Sequence, residues 1–269
     1  MRAVASFPDL RQRAVWGAAI GAAALALIVV GGAPAAMFAA LAGSAAAAEF
    51  RLLTAPTARD APLYATAVGA AALAAHLWSA PVAIAALACA AAAFAAADLA
   101  SRRAPGWGLA GFATVGLAAV AFVALRDLEG FGLATALWIG AVVVATDVGA
   151  YFAGRLIGGP KLWPEVSPKK TWAGLGGGIA LAFVVGALFS VLTTGTYVEQ
   201  VCAVSAAAAL VAQGGDLAES ALKRRFGAKD SSALIPGHGG ALDRLDGFCA
   251  ATLVVAAATF ARGAPVFAW

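Results

Sequence analysis

Asp216, Glu219, Ser220 and Lys223 stand at i, i+3, i+4 and i+7, so one helical face carries two carboxylates, a hydroxyl and an ammonium. Further along, Asp243 and Asp246 stand at i and i+3 with Arg244 between them, opening an apolar run. Hard oxygen donors on two helices at one level suit Mg²⁺, which takes one or two carboxylates, keeps waters and shares phosphate oxygens of a substrate. Between the two acid pairs lie Lys229-Asp230-Ser231-Ser232 and Pro236-Gly237-His238-Gly239-Gly240. Glycines let backbone amides approach an anion closely, and successive N–H groups in a turn form anion-binding nests. A histidine in a glycine-rich turn is commonly structural; the position of His238 between metal-type acids makes it a candidate donor to a phosphate oxygen.

A second group lies upstream. Asp147 falls late in an apolar run, where a carboxylate needs a cation or a metal beside it. Ser167, Lys169, Lys170 and Thr171 then form a compact cationic clamp at a helix start, where the helix dipole also attracts anions. These lysines also fit the role of a basic anchor on the cytoplasmic side of a membrane. Their occurrence together with the carboxylate pairs points to a site for an anionic substrate.

The elements that carry these groups are set by composition. The 269 residues are 62% hydrophobic and 12% charged, against about 25% charged in soluble domains. Whole windows run apolar all round, which excludes an ordinary cytosolic protein and makes the bilayer the solvent. Net charge is +4, but the cations fall between apolar runs and form no basic face for nucleic acid. Cys89, Cys202 and Cys249 are isolated in apolar surroundings and read as small core residues.

A membrane crossing takes about 20 apolar residues. The chain offers nine candidate spans, 14–32, 33–49, 62–78, 80–99, 106–125, 131–153, 172–194, 198–215 and 247–262, with turns at Gly31-Gly32-Ala33-Pro34 and Ser79-Ala80-Pro81. The basic start, Arg2, Arg11 and Arg13, precedes no small-residue cleavage site leading to a soluble domain, so the first span is expected to be retained. With the N-terminus in the cytoplasm, 16 Lys and Arg fall inside and only Arg126 and Arg262 outside. The expected fold is all-α, a polytopic membrane bundle. Residues 1–130 are read as a lipid-facing scaffold, and 131–269 as a catalytic region with cytoplasmic connections 154–171 and 219–246.

Ser220-x-x-Lys223-Arg224-x4-Lys229-Asp230-Ser231, followed by Pro236-Gly237-His238-Gly239-Gly240-x-x-Asp243-Arg244-x-Asp246, resembles the signature of the phosphatidate cytidylyltransferases. Ser167-Pro168-Lys169-Lys170-Thr171 and Asp147-x-Gly149-Ala150-Tyr151 are similar to a second block of the same family. The resemblance runs from about Asp147 to Gly247. Two positions depart from it: Ala173 stands where an acid or amide is usual, and Gly247 where a serine is common.

The resemblance implies a nucleotidyltransferase that joins CTP and phosphatidate to give CDP-diacylglycerol and pyrophosphate. It implies Asp216, Asp243 and Asp246, supported by Asp147, as ligands of Mg²⁺ in a one- or two-metal site. Lys223, Arg224, Lys229 and Arg244 would neutralise triphosphate. Ser167, Lys169, Lys170, Thr171, Ser220 and Asp230 would contact nucleotide or headgroup, with His238 a positioning donor. The expected setting is the bacterial cytoplasmic membrane with the site on its cytoplasmic face. Expected partners are CTP, phosphatidate, membrane lipids and, in a homodimer, a second copy of the chain. The rival readings are a CTP-dependent polyprenol or phytol kinase, which shares part of the motif, and an ion or solute transporter. A transporter would place paired polar groups at mid-bilayer, whereas these acids gather at one face.

Overall fold

The computed structural model of the chain describes residues 7–101, 106–235 and 239–269, with residues 7–14 as backbone only. His238, with Pro236 and Gly237, and the cations Arg2, Arg102 and Arg103 lie outside the described residues. The helices are α1 (Phe7–Val30), α2 (Gly32–Thr54), α3 (Ala61–Leu77), α4 (Ala80–Ala100), α5 (Gly106–Arg126), α6 (Gly132–Leu156), α7 (Trp172–Thr193), α8 (Val198–Arg225) and α9 (Leu242–Arg262). Strands β1 (Lys161–Trp163) and β2 (Ser167–Thr171) form an antiparallel hairpin between α6 and α7. A 3-10 turn, Val266–Ala268, ends the chain.

Among the described residues, seven helices are long and apolar enough to cross a membrane: α2, α4, α5, α6, α7, α8 and the stretch beginning with α9. The apolar part of α1, Val15–Val30, and α3 are shorter. This is an all-α polytopic membrane protein. Its outward faces carry large apolar side chains, such as Val82 and Ile84 on α4 and Phe183, Val184, Leu188 and Val191 on α7. Such faces match lipid, since the helices satisfy their own backbone hydrogen bonds.

Both expected turns are present. Gly31 takes a left-handed φ of 74° between α1 and α2, and Ser79 is extended ahead of Pro81 at the start of α4. The helix ends near the charged stretches differ from expectation. α8 runs through Arg225 and does not stop near 215, because Leu217, Ala218, Glu219, Ala221, Leu222 and Lys223 are good helix formers. α9 begins at Leu242, so the connection expected over 219–246 shrinks to 226–241. The 154–171 connection is part helix and part hairpin.

Packing follows residue size. The buried residues of α7 are Gly174, Gly178, Ala182, Gly186 and Ser190, one small residue per turn; Gly174 and Gly178 lie against α6, and Gly186 against Val201 and Ser205 of α8. A β-carbon on Gly178 would stand 2.8 Å from the Thr146 carbonyl oxygen, so the two backbones meet without intervening side chains. One buried cluster joins α2, α3 and α5 through Tyr64, Val68, Phe112 and Phe122. A second joins α6, α8 and α9 to the chain end through Trp138, Ile139, Val201, Val255 and Phe267. α5 serves both, since Ala121 and Leu125 belong to the second cluster.

The helices alternate in direction, as contacts at their ends show. Arg51 near the end of α2 pairs with Asp98 near the end of α4, and Arg225 at the end of α8 lies over Trp107 at the start of α5. At the opposite end, Arg126 at the close of α5 donates to the carbonyls of Ile28 and Val29 in α1.

Candidate active site

The site begins at the crossing of α8 and α9. A β-carbon on Gly215 would lie 2.9 Å from the Ala250 β-carbon and 3.1 Å from the Asp246 carbonyl oxygen, so the missing side chain sets how closely the helices approach. That approach brings the acids of α8 to the first acids of α9. Asp216, Glu219 and Asp246 each offer a carboxylate oxygen within 4.8 Å of the others. Three such charges at this separation repel one another, and a cation among them relieves the repulsion. Oε1 of Glu219 is buried and has no hydrogen-bond partner among the described residues. The donor set is all hard oxygen with one uncommitted buried atom, which fits Mg²⁺.

Asp243 is differently engaged. Its Oδ1 accepts from Lys223 Nζ at 2.7 Å, and its Oδ2 accepts from Gly240 N at 2.8 Å and Ser231 N at 3.0 Å. Lys223 Nζ also donates to Glu219 Oε2 at 3.1 Å. The carboxylates that cluster are therefore Asp216, Glu219 and Asp246, whereas the resemblance implies Asp216, Asp243 and Asp246, supported by Asp147. The reason is local: Asp243 in the first turn of α9 faces the 226–241 connection, whose amides claim its oxygens.

From the other side, β2 delivers Lys170, whose Nζ lies 2.6 Å from Asp216 Oδ2 and 3.4 Å from the Gln213 carbonyl oxygen. Asp147 on α6 lines the same space. A cavity of about 510 Å³ is lined by Asp147, Tyr151, Arg155, Lys169, Lys170 and Asp216, among others. A second, of about 490 Å³, is lined by Asp147, Asp216, Glu219, Lys223, Asp243 and Asp246, among others. The two share Asp147, Gln213 and Asp216. A third, about 200 Å³ and mostly apolar, is lined by Phe50, Trp107, Leu222 and Leu242, and reaches Glu219 and Asp246 at one end.

A profile described as the cytidylyltransferase family matches residues 11–261. The chain belongs to the cytidylyltransferase family. Among its relatives, a phosphatidate cytidylyltransferase of Brucella suis is 47% identical over 150 residues, 56% of either chain. One of Bacillus subtilis is 42% identical over 129 residues, 47% of this chain and 48% of its own. One of Haemophilus influenzae is 45% identical over 125 residues, 45% of this chain and 43% of its own. The matched stretches thus span about half the length of these relatives.

In this cytidylyltransferase family member the other expected site residues divide by place. Thr171 is buried, and its hydroxyl accepts from Gly174 N at 3.0 Å, capping α7, as a threonine at a helix start commonly does. Ser167 pairs with Trp163 in the hairpin. Ser220 Oγ lies 3.4 Å from Asp216 Oδ1, a long contact. Arg224 and Lys229 are exposed at and just beyond the end of α8. Asp230 and Arg244 are also exposed and line the second cavity.

Three residues at the candidate site are absent from the set that the resemblance implies. Glu219 lies on the marked face of α8, but no motif rule separated it from Asp216. Gln213 is buried and lines two cavities, and an amide within an apolar helix carries little signal. Glu49 reaches the 226–241 connection from α2, in the half read as scaffold. A charged residue in an apolar span was its available signal.

Proposed function

We propose that this chain is a phosphatidate cytidylyltransferase, transferring CMP from CTP to phosphatidate to give CDP-diacylglycerol and pyrophosphate. The observation that carries the reading is the Asp216, Glu219 and Asp246 triad standing between a lysine-lined polar cavity and an apolar one. Both substrates are anions, and one has acyl chains. The names of the Brucella, Bacillus and Haemophilus relatives support the same reaction.

In this reading an oxygen of the lipid phosphomonoester attacks the α-phosphorus of CTP, a new P–O bond forms, and the bond to the β-phosphate oxygen breaks as pyrophosphate leaves. The monoester is largely ionised near neutral pH, with a second pKa of about 6, so no strong general base is needed. Lys223, oriented by Asp243 and Glu219, neutralises phosphate charge. Lys170, oriented by Asp216, and Lys169 do the same from the hairpin side. Asp216, Glu219 and Asp246 would hold Mg²⁺, which when bound supplies charge neutralisation on the transferring phosphates. The apolar cavity beside Phe50, Trp107 and Leu242 suits the glycerol end of the lipid chains.

The 16 to 2 distribution of cations supports a cytoplasmic site and N-terminus, in a bacterial inner membrane. The test is turnover of α-labelled CTP with phosphatidate by the purified protein in the presence of Mg²⁺. Labelled CDP-diacylglycerol with release of pyrophosphate is the expected outcome. Labelled CDP in solution would indicate a lipid kinase and sink the proposal.

A further inference from the structure

The geometry points to Glu49 as a positioning residue of the reaction, one that holds Ser231, Ser232 and the start of α9 and, through them, Lys223. Glu49 is 5% exposed, near the cytoplasmic-facing end of α2 by the topology above, and belongs to the half of the chain without signature motifs. Its Oε1 accepts from Ser232 Oγ at 2.7 Å and from Ala241 N at 3.0 Å. Its Oε2 accepts from Leu242 N at 2.8 Å and lies 2.9 Å from Ser231 Oγ. A buried carboxylate is costly unless donors surround it, and here four do. Two of them are the backbone N–H groups that open α9, which has no side-chain cap of its own. The negative charge also complements the positive end of the α9 dipole.

The chain of contacts continues inward. Ser231 Oγ lies 3.1 Å from Asp243 Oδ2 as well as beside Glu49, and with one proton it donates to one carboxylate at a time. Ser231 N donates to Asp243, Asp243 accepts from Lys223, and Lys223 donates to Glu219 of the carboxylate triad. Gly240 lies against this network: a β-carbon there would run into Ser231 Oγ and Glu49 Oε2. A side chain at this position would displace the Ser231 hydroxyl and the Glu49 carboxylate from where they now stand. Glu49 thus ties a helix of the first half to the ammonium that faces the substrate, without touching the reacting atoms itself.

The inference rests on the cytidylyltransferase reading for its kinetic arm, and the experiment keeps the two apart. Glu49→Gln preserves size but replaces one acceptor oxygen with a donor that faces other donors. In the full-length protein, kcat for CMP transfer is expected to fall between about 10- and 100-fold, the range for groups that orient a catalytic site. The KM values for CTP and phosphatidate should stay within about twofold. Hydrogen exchange of the Ser231, Ala241 and Leu242 backbone amides should speed up by about tenfold or more. Combining Glu49→Gln with Ser231→Ala should cost little more than the worse single change, because both act through one path.

A kcat within about twofold of wild type, or losses that multiply in the double variant, would overturn the inference. Unchanged exchange at Ser231, Ala241 and Leu242 would do so even if the wild type made no CDP-lipid, an outcome that by itself removes the functional proposal. Should Glu49→Gln fail to fold, Ser231→Ala alone decides: a loss of about fivefold or more in kcat supports the relay, and an unaltered kcat overturns it.

Discussion

Lys170 Nζ lies 2.6 Å from Asp216 Oδ2, joining the hairpin between α6 and α7 to the acidic face of α8. This contact closes the site from the side opposite α9 and unites the two charged stretches in one chamber. Asp216 is 39% exposed, so the pair adds little to stability, about 1 kcal/mol or less. Lys170→Ala should therefore lower kcat/KM by about tenfold or more through lost substrate positioning, with thermal unfolding nearly unchanged. Turnover and unfolding measured on the same preparation check this.

The carboxylates should separate by role in a Mg²⁺ titration. Glu219→Gln and Asp246→Asn are expected to raise the Mg²⁺ concentration for half-maximal activity by about tenfold or more. Asp243→Asn should instead lower kcat with little change in that midpoint, since its oxygens hold Lys223, Ser231 and Gly240. Protection against thermal unfolding by Mg²⁺ gives a readout independent of turnover. Equal midpoint shifts for all three variants would contradict the division.

Arg51 makes a test of stability. Its guanidinium contacts Asp98 at 2.6 Å and Asp60 at 2.7 Å, but Asp98 is 2% exposed and Asp60 25%. Leaving part of a buried charge uncompensated costs about 3 kcal/mol. Asp98→Asn should destabilise the protein clearly more than Asp60→Asn, as melting in detergent would reveal.

Gly178 and Gly176 offer a matched pair. A β-carbon at Gly178 meets the Thr146 carbonyl at 2.8 Å, whereas one at Gly176 meets nothing within 4 Å. Gly178→Val should push α6 from α7, cost about 1–3 kcal/mol and displace Asp147 from the chamber. Gly176→Val should be tolerated. Melting temperature and turnover of the two variants distinguish them.

What could be read from the chain without coordinates was whatever depends on neighbours along it. Helix spans follow from apolar length against bilayer thickness, and the turns at Gly31 and before Pro81 follow from backbone sterics. The face shared by Asp216, Glu219 and Lys223 follows from helical periodicity. The signature residues pointed to the range from Asp147 to Asp246, and both ends of that range line the second cavity.

Partner choice lay beyond that reach. That Asp243 serves Lys223 while Glu219 joins Asp216 and Asp246 depends on which way each helix turns its side chains, and this is settled by the close α8–α9 contact at Gly215. That Thr171 caps α7 depends on where the helix begins. Glu49 and Ser232 are 183 positions apart and meet only because α2 packs against α9. Sequence determined the helices and the inventory of charges; tertiary packing decided which charges meet, because spacing constrains residues only within a few turns and contacts between helices are set by small residues that let backbones approach.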